Sequence, residues 1–244
     1  MKLSVIVPVY NERANIEEVI RRVKAVALPG DLEREIIIVD DGSTDGTAEL
    51  LERYRGDEVL KIHLSGENFG KGTAIRVGIG YATGEVILIQ DADLEYDPAD
   101  YPALLRPILE GRATVVYGSR FRDRYTGFQT PPGMRFPNWL INKILKWETN
   151  LLYQAGITDE ATAYKVFRAE VLKSLDLRAS RFEFCPEVTA KVCLAGHRIH
   201  EVPITYQARS IAEGKKIRWQ DGVQAMWTLL KYRFAWNVKR QFDA

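Results

Sequence analysis

The sequence predicts an α/β protein with a mostly parallel central sheet flanked by helices. Short runs of β-branched and aliphatic residues recur along the chain, which is typical of parallel strands covered on both faces. Stretches in which apolar residues recur at helical spacing separate these runs. Strands and helices that alternate in this way indicate a doubly wound sheet. A third observation, polar residues after each strand, indicates where such a sheet binds its ligand.

The first half of the chain supplies five of the predicted strands and the helices between them. The strands are predicted at residues 3–9, 35–40, 59–64, 86–90 and 113–118. The helices are predicted within residues 14–27, 43–54, 72–84 and 98–111. Ser43 or Thr44 is expected to cap the second helix, because a hydroxyl oxygen can accept a hydrogen bond from the free amides of a first turn.

The pattern changes after about residue 120. Residues 120–139 are basic and rich in Gly and Pro, which predicts a long loop, and such loops are usually functional or mobile. The elements predicted next are a helix at 138–154, a strand around 163–167, a helix at 186–195 and a strand within 197–206. The sequence therefore predicts a main domain at residues 1–215 and an amphipathic helical tail at residues 216–244.

The composition excludes several classes of function. Of 244 residues, 46% are hydrophobic and 27% charged, as in soluble globular proteins, and a formal charge of +1 gives no general attraction to nucleic acid. Cys185 and Cys193 are expected to be reduced core thiols, since no second pair completes a metal site. The first apolar run is too short for a secretory signal, and no run approaches the length that spans a bilayer. We therefore expect a cytoplasmic protein that reaches a membrane only from its surface.

Carboxylates are concentrated directly after the fourth predicted strand. Asp91, Asp93, Glu95 and Asp97 fall within the stretch "DADLEYD". Clustered carboxylates repel each other unless a positive charge lies between them, and hard divalent cations take oxygen ligands and often bridge to phosphates. A Mg²⁺ or Mn²⁺ ion that holds a diphosphate is the favoured interpretation for the first three. Asp97, directly before Pro98, is interpreted as the cap of the next helix.

Competing motifs are weak. The stretch "GENFGKGT" resembles a phosphate loop, but it is one residue short, and Gly72 stands where Ser or Thr would bind Mg²⁺. No dinucleotide-binding glycine motif follows the first strand. His197 and His200, three residues apart in a predicted strand, would point to opposite faces and are not expected to bind zinc.

Several motifs in register resemble the GT-A glycosyltransferases of family 2. They are "SVIVPVYNE", "IIIVDDGSTDGT", "NFGKGTAIRVG", "GEVILIQDADLEYDP" and "VVYGSRF", followed by "EVPITYQAR" and "EGKK". Within that family the resemblance, over roughly residues 3–218, is to the polyprenyl-phosphate sugar transferases of the dolichol-phosphate mannose synthase type. It implies a GT-A fold with residues 1–215 as the catalytic domain.

The resemblance also implies a set of site residues. It implies a nucleotide-sugar pocket formed by Pro8, Tyr10, Glu12, Asp40, Asp41, Asn68, Lys71 and Asp91. It implies a Mg²⁺ or Mn²⁺ site formed by Asp91, Asp93 and Glu95, the last standing where such synthases often have Gln. It implies a catalytic set of Asp93, Arg120, Arg135, Arg209 and Lys215, whose basic members grip phosphates. Alternative interpretations stay open for four residues: Asp40 as a turn residue, Lys71 as a solvated helix start, and Arg122 and Arg124 as solvated loop charges.

The activity implied is inverting transfer of a hexose from a nucleotide sugar, of the GDP-mannose or UDP-glucose type, to a dolichyl or undecaprenyl phosphate. A phosphate acceptor needs no proton removed, whereas a hydroxyl acceptor needs a general base. Asp159 or Glu160 could be that base, or each could be a helix cap. A family 2 enzyme with a glycan or small-molecule acceptor is therefore one alternative, and a catalytically silent binding protein on the same fold is another.

A polyprenyl substrate would require an apolar approach to the site. Residues 138–154 carry Trp139, Leu140, Ile144, Leu145 and Trp147 together with Asn142, Lys143 and Lys146. The tail carries Trp227, Leu230, Phe234 and Trp236 together with Lys231, Arg233, Lys239 and Arg240. Aromatic residues beside cations indicate a helix at a membrane surface or against a membrane protein, although such stripes also form cores and oligomer contacts.

Overall fold

A computed structural model describes residues 1–123, 129–134, 136–209 and 219–242, with the side chains of the last helix described from 220 to 235. The described residues form a seven-stranded mixed sheet in the order β3-β2-β1-β4-β6-β5-β7. The strands are β1 (Lys2–Val9), β2 (Glu33–Asp40), β3 (Leu60–Leu64), β4 (Val86–Ile89), β5 (Val115–Ser119), β6 (Lys165–Arg168) and β7 (Ile199–Pro203). All neighbours pair in parallel except β6, which is antiparallel to both β4 and β5. The predicted α/β class is confirmed.

Eight α-helices flank this sheet in the described part of the chain. They are α1 (Ile16–Ala25), α2 (Thr47–Glu52), α3 (Lys71–Tyr81), α4 (Tyr101–Leu109), α5 (Phe136–Tyr153), α6 (Ala169–Ser174), α7 (Phe184–Leu194) and α8 (Trp219–Phe242). A single 3₁₀ turn, Pro98–Asp100, precedes α4. The short helix α6 was not predicted from the sequence.

The predicted cap of α2 is wrong. The helix begins at Thr47, after Gly46 with φ +89°, and the Thr47 amide donates a hydrogen bond to Asp45 Oδ1 at 3.0 Å. The Ser43 hydroxyl instead accepts a hydrogen bond from the Asn11 amide at 2.8 Å, and the Thr44 amide donates to Asn11 Oδ1 at 2.8 Å. These two residues are used to join the β1 and β2 loops, and the helix therefore starts later.

The core lies on both faces of the sheet because successive strand residues point to opposite faces. Val5 and Val7 of β1 pack in the cluster that includes Ile16 of α1. Ile6, between them, packs in the opposite cluster with Ile75 of α3 and Val188 of α7. Strands covered on both faces need apolar side chains at every position, which explains the uninterrupted runs in the sequence.

Helix α8 packs on the main domain. Ala225 and Leu229 of α8 form a third apolar cluster with Leu145 of α5 and Ala190 of α7. The Tyr153 hydroxyl donates to the Leu229 carbonyl at 2.5 Å. The predicted boundary between residues 215 and 216 lies outside the described residues. None of the described helices combines the length and the apolar character that crossing a membrane requires.

The predicted apolar stripe of residues 138–154 serves two purposes. Trp139 and Leu145 are buried, whereas Leu140, Ile144 and Trp147 are exposed. Trp227 and Phe234 of α8 are also exposed, and the side chains of Trp236, Lys239 and Arg240 lie outside the described set. Cys185 and Cys193 are free, half-buried thiols.

Candidate active site

The carboxyl ends of β1, β2 and β4 meet at one edge of the sheet. Val9 pairs with Asp40, so β1 and β2 end at the same level, whereas Ile89 at the end of β4 pairs with Ile6, three residues before the end of β1. Four of the predicted pocket residues lie near these ends: Pro8 is buried within β1, Tyr10 is half-buried and Glu12 buried after β1, and Asn68 is exposed after β3. Ligands of open α/β sheets bind in this region.

Asp40 and Asp41 hold the loops at this edge. The Asp41 carboxylate accepts hydrogen bonds from the amides of Phe69 at 2.8 Å and Gly70 at 2.7 Å, and Asp40 accepts one from the Ser43 amide at 3.0 Å. Burial raises the pKa of Asp41. That these two carboxylates belong to a nucleotide-sugar pocket stays a prediction, and in this structure both have partners within the chain.

Lys71 begins α3 and forms an ion pair with Asp91. Its Nζ atom lies 2.6 Å from Asp91 Oδ1, and the Lys71 side chain is 22% exposed. Burial lowers the pKa of Lys71, but Asp91, Cys185 and Asp93 together outweigh burial, so the pKa is raised. The alternative interpretation, a solvated helix start, does not fit this geometry.

Asp93 and Arg209 join the acidic loop to the segment after β7. Arg209 Nη2 lies 3.1 Å from Asp93 Oδ2, and Arg209 Nη1 lies 3.2 Å from Glu12 Oε2. Burial, followed by the charges of Asp91 and Glu95, raises the pKa of Asp93 to about 7. A carboxylate crowded in this way is stabilised by any cation that comes close.

Glu95 holds the 206–209 segment against the acidic loop. Its two carboxylate oxygens accept hydrogen bonds from the Arg209 amide and the Tyr206 hydroxyl, each at 2.8 Å. In the described part of the chain, no three acidic, His or Cys side chains are grouped as a metal site. The predicted trio of Asp91, Asp93 and Glu95 is therefore not brought together as one cluster, because Glu95 turns to these donors.

Asp91 and Asp93 by themselves fit a hard divalent cation. Both offer only oxygen ligands, and burial together with the neighbouring carboxylates raises the pKa of Asp93. Mg²⁺ is usually bound through one or two carboxylates, with waters and substrate phosphates in its other positions. Two protein carboxylates are therefore a sufficient protein share of such a site.

Arg120 forms a buried ion pair with Asp159. Its Nε and Nη2 atoms lie 2.7 Å from the two Asp159 oxygens, and the side chains are 7% and 0% exposed. The guanidinium also lies over the Tyr206 ring, 5.1 Å from its centroid. Asp159 is thus neither a helix cap nor exposed to an acceptor. Neighbouring Glu160 is also buried, and burial raises its pKa.

The remaining predictions fall in three groups. Arg135, Lys215 and Arg124 lie outside the described residues. Arg122 is 41% exposed and lies 3.7 Å from Glu201 and 3.8 Å from Asp123, as expected of a loop charge. The cap at Asp97 is confirmed: its carboxylate accepts a hydrogen bond from the Ala99 amide at 3.0 Å.

Gln90 is a site residue that sequence reasoning missed. It is 1% exposed, and its carbonyl oxygen accepts hydrogen bonds from the hydroxyls of Tyr101 at 2.8 Å and Tyr164 at 2.7 Å. Its side-chain Nε2 atom donates a hydrogen bond to the backbone carbonyl of Asp91 at 2.9 Å, which fixes the start of the acidic loop. The sequence did contain a signal for this residue, because Gln90 is a polar residue directly after the uninterrupted apolar run of β4.

The comparisons with known proteins agree with this geometry. The family model described as glycosyl transferase family 2 matches residues 4–176. The dodecaprenyl-phosphate galacturonate synthase of Rhizobium johnstonii is 30% identical over 86% of this chain and 60% of its own length. The dolichol-phosphate mannosyltransferase of Pyrococcus furiosus is 32% identical over 88% of this chain and 59% of its own length. The chain thus spans about three fifths of each relative.

Solved structures show the same fold. Glucosyl-3-phosphoglycerate synthase from Mycobacterium tuberculosis, in complex with Mn²⁺, uridine diphosphate and phosphoglyceric acid, superposes with a TM-score of 0.69 and 21% identity, covering 95% of this chain and 78% of that chain. A second structure of that enzyme, with Mg²⁺ and uridine diphosphate, gives a TM-score of 0.65 at 22% identity, covering 95% and 79%. The GT-A fold implied by the sequence motifs is confirmed.

Proposed function

The chain belongs to glycosyl transferase family 2, and we propose that it is an inverting, metal-dependent hexosyltransferase with a nucleotide-sugar donor and a polyprenyl-phosphate acceptor. One observation carries the proposal. Asp91 and Asp93 lie at the carboxyl edge of the sheet, and each pairs with a cation, Lys71 and Arg209, from a different segment. A nucleotide diphosphate requires carboxylates that bind its metal ion and cations that bind its phosphates. Both kinds of side chain lie together at this edge of the sheet.

Asp91 and Asp93 would hold the divalent cation. When bound, Mg²⁺ or Mn²⁺ stabilises the negative charge that develops on the departing diphosphate. Arg209 and Lys71 then turn from the carboxylates towards the phosphate oxygens, and the planar guanidinium of Arg209 can donate two hydrogen bonds at once. Glu95 and Gln90 keep their structural hydrogen bonds throughout, so the loop that carries both aspartates stays in place.

The burial of Asp159 and Glu160 supports a phosphate acceptor. A general base must reach the proton that it removes, but Asp159 is 0% and Glu160 1% exposed. A phosphate acceptor already carries negative charge at neutral pH and needs no base. The predicted Arg135 and Lys215 are proposed to bind the acceptor or donor phosphates, whereas Arg120, which is 7% exposed and paired with Asp159, is proposed to hold the surrounding segments in position.

The curated relatives support the acceptor class and leave the donor open. One is named for dodecaprenyl phosphate and galacturonate, the other for dolichol phosphate and mannose. The shared chemistry is the polyprenyl phosphate, and the sugars differ. The donor is therefore proposed only as a nucleotide sugar of the GDP-mannose or UDP-glucose type.

A surface formed by α5 and α8 supports an approach to lipid. Its exposed apolar residues are Phe136, Leu140, Ile144, Trp147 and Leu151 on α5, and Val223, Trp227 and Phe234 on α8. Their spacing puts each set on one stripe of its helix, and the two helices pack side by side. Lys143 of α5 lies near the edge of this stripe by its helical spacing, with its Nζ atom 5.5 Å from the centroid of the Trp139 ring. We propose that this surface, named here the apolar face, lies against an anionic membrane surface.

A donor panel tests the proposal. The protein is incubated with Mg²⁺ or Mn²⁺, each radiolabelled nucleotide sugar, and a short polyprenyl phosphate or the matching polyprenol without phosphate. We expect acid-labile label in the organic phase with the phosphate only. Transfer to a glycan or small-molecule hydroxyl, without lipid product, would support the alternative acceptor class. Donor binding without any transfer would support a silent binding protein.

A further inference from the structure

Glu187 of α7 is a buried carboxylate that the proposed reaction does not use. It is 0% exposed, yet it accepts hydrogen bonds from the amides of Arg178 at 2.9 Å and Ala179 at 2.6 Å. It also accepts hydrogen bonds from Lys191 Nζ and the Tyr232 hydroxyl, each at 2.6 Å. A buried charge is tolerated only when donors satisfy it. Glu187 therefore fixes three separate parts of the chain to one point.

The segment that Glu187 holds packs directly on the start of α3. The Thr73 amide donates to the Ser180 carbonyl at 3.0 Å. A Cβ atom at Gly70 would lie 2.4 Å from the Ser180 oxygen, and one at Gly72 would lie 2.6 Å from the Ala179 oxygen. Glycine is required at both positions because the backbone of α3 lies against the backbone of Ala179 and Ser180, with no room for a side chain. Without a side chain between them, a shift of residues 178–181 moves the start of α3.

The start of α3 carries groups of the candidate donor site. The Gly70 amide donates to Asp41 at 2.7 Å, and Lys71 Nζ lies 2.6 Å from Asp91. The Phe182 ring, directly after the held segment, lies 6.0 Å from the same Lys71 Nζ atom. The position of Lys71 thus depends on the segment that Glu187 fixes.

We propose that Glu187 is a positioning residue for nucleotide-sugar binding, acting through residues 178–181 on the start of α3, and that Tyr232 of α8 sets the position of its carboxylate. The inference rests on the proposed function for the identity of the ligand. Tyr232 lies far along the chain on the C-terminal helix, so α8 contributes to the donor site without touching it. The Glu187 carboxylate connects α8 to the donor site.

Tyr232→Phe is the first test, with Tyr153→Phe as its matched control. Each variant removes one hydroxyl that joins α8 to the domain, but only Tyr232 contacts Glu187. For Tyr232→Phe we expect the KM for the donor, and the Kd for GDP or UDP with Mg²⁺, to rise about three- to tenfold, the range of one lost hydrogen bond. The kcat at saturating donor should change less than about twofold. Tyr153→Phe should leave all three constants unchanged.

Amide hydrogen exchange provides a readout that needs no turnover. Glu187→Gln and Tyr232→Phe should speed exchange at Ala179 and Thr73, whose amides donate to Glu187 and Ser180, and Tyr153→Phe should not. Equal effects of both tyrosine variants, or a lower kcat at unchanged KM, would overturn the proposal. If the wild type binds neither nucleotide, the proposed function fails, and unchanged exchange at Thr73 would independently refute the positioning role. Should Glu187→Gln not fold, the tyrosine pair still decides.

Discussion

The guanidinium of Arg209 lies 3.1 Å from the Asp93 carboxylate, although 116 positions separate the two residues in the sequence. The same guanidinium reaches Glu12 at 3.2 Å. A divalent cation held by Asp93 must therefore compete with an internal cation. Under the proposed function, we expect donor binding to favour the exchange, because a diphosphate would give Arg209 a new anionic partner.

Arg209→Gln should separate metal binding from donor binding. Without the competing guanidinium, we expect Mn²⁺ to bind a few-fold more tightly in the absence of nucleotide. With GDP or UDP present, the nucleotide should bind about tenfold more weakly, because a charged hydrogen bond to phosphate is lost. Free Mn²⁺ measured by electron paramagnetic resonance and nucleotide Kd measured by calorimetry give both values. Arg122→Gln, at an exposed loop charge, is the control. Weaker Mn²⁺ binding without nucleotide would contradict the competition.

Asp93→Asn should abolish transfer, whereas Asp97→Asn should not. Both variants remove one negative charge from the same loop. Asn is as good a helix cap as Asp, so the Asp97 variant should fold and function normally. Asn at position 93 loses the charge that holds the metal, and we expect kcat/KM to fall about 10³-fold or more. Transfer rates at several Mg²⁺ concentrations measure this. Equal losses in the two variants would mean that loop charge alone matters.

The sequence predicted the sheet well because buried parallel strands leave a direct signal. All seven strands were expected near their observed positions, with ends that differ by about two residues. The antiparallel direction of β6 was not predicted. After β5 the chain passes through α5 and then inserts β6 between β4 and β5, and the sequence carries no signal for this path. The six-residue helix α6 was missed because it follows β6 directly, with no turn residue between the two elements to mark its start.

The site was predictable only in part for a similar reason. Asp91 and Asp93 stand out because parallel strands end at one edge of a sheet. Lys71, the partner of Asp91, begins α3, but Arg209, the partner of Asp93, comes from a loop, and a loop has no periodic pattern from which its conformation could be predicted. Glu95, predicted as a metal ligand, turns to Tyr206 and Arg209 instead. Glu187 lies within an ordinary helical pattern, so the sequence carries no sign of its four donors.

Asp159→Asn should destabilise the protein far more than Asp176→Asn. Both residues pair with an arginine, but Asp159 and Arg120 are buried, whereas Asp176 and Arg178 are about 70% exposed. Removing one partner of a buried pair leaves an uncompensated charge and costs about 3–5 kcal/mol. An exposed pair contributes about 0–1 kcal/mol. Urea unfolding gives both free energies. Normal stability of Asp159→Asn with lost hydroxyl-acceptor activity would instead indicate a general base.

Glu148 of α5 should make stability depend on pH. Burial, with the charge of Glu160 adding to it, raises the pKa of Glu148 from 4.5 to about 7. Because the folded carboxyl keeps its proton at higher pH than the unfolded one, its contribution to stability is complete below pH 4.5 and is lost as pH rises through about 7.

Glu148→Gln, which cannot ionise, tests this linkage. At pH 8 the variant should be more stable than the wild type by about 1 kcal/mol, and the difference should disappear near pH 4.5. Thermal unfolding across this pH range measures it, with Glu58→Gln at an exposed position as the control. A difference that does not change with pH would show that Glu148 is ionised normally in the folded protein.

Trp147 and Trp227 should account for much of any membrane binding. Their side chains are 66% and 65% exposed on neighbouring helices, so replacing them removes apolar surface without opening the core. We expect Trp147→Gln with Trp227→Gln to weaken flotation with anionic vesicles about tenfold or more, at unchanged melting temperature. Tyr81→Gln, at an aromatic residue of α3 that is 48% exposed, controls for general loss of exposed apolar surface. Transfer to a water-soluble short-chain acceptor should remain at the wild-type rate, because neither tryptophan belongs to the donor site. A wild type that does not bind vesicles, or a control variant that weakens flotation equally, would show that the apolar face has a different partner.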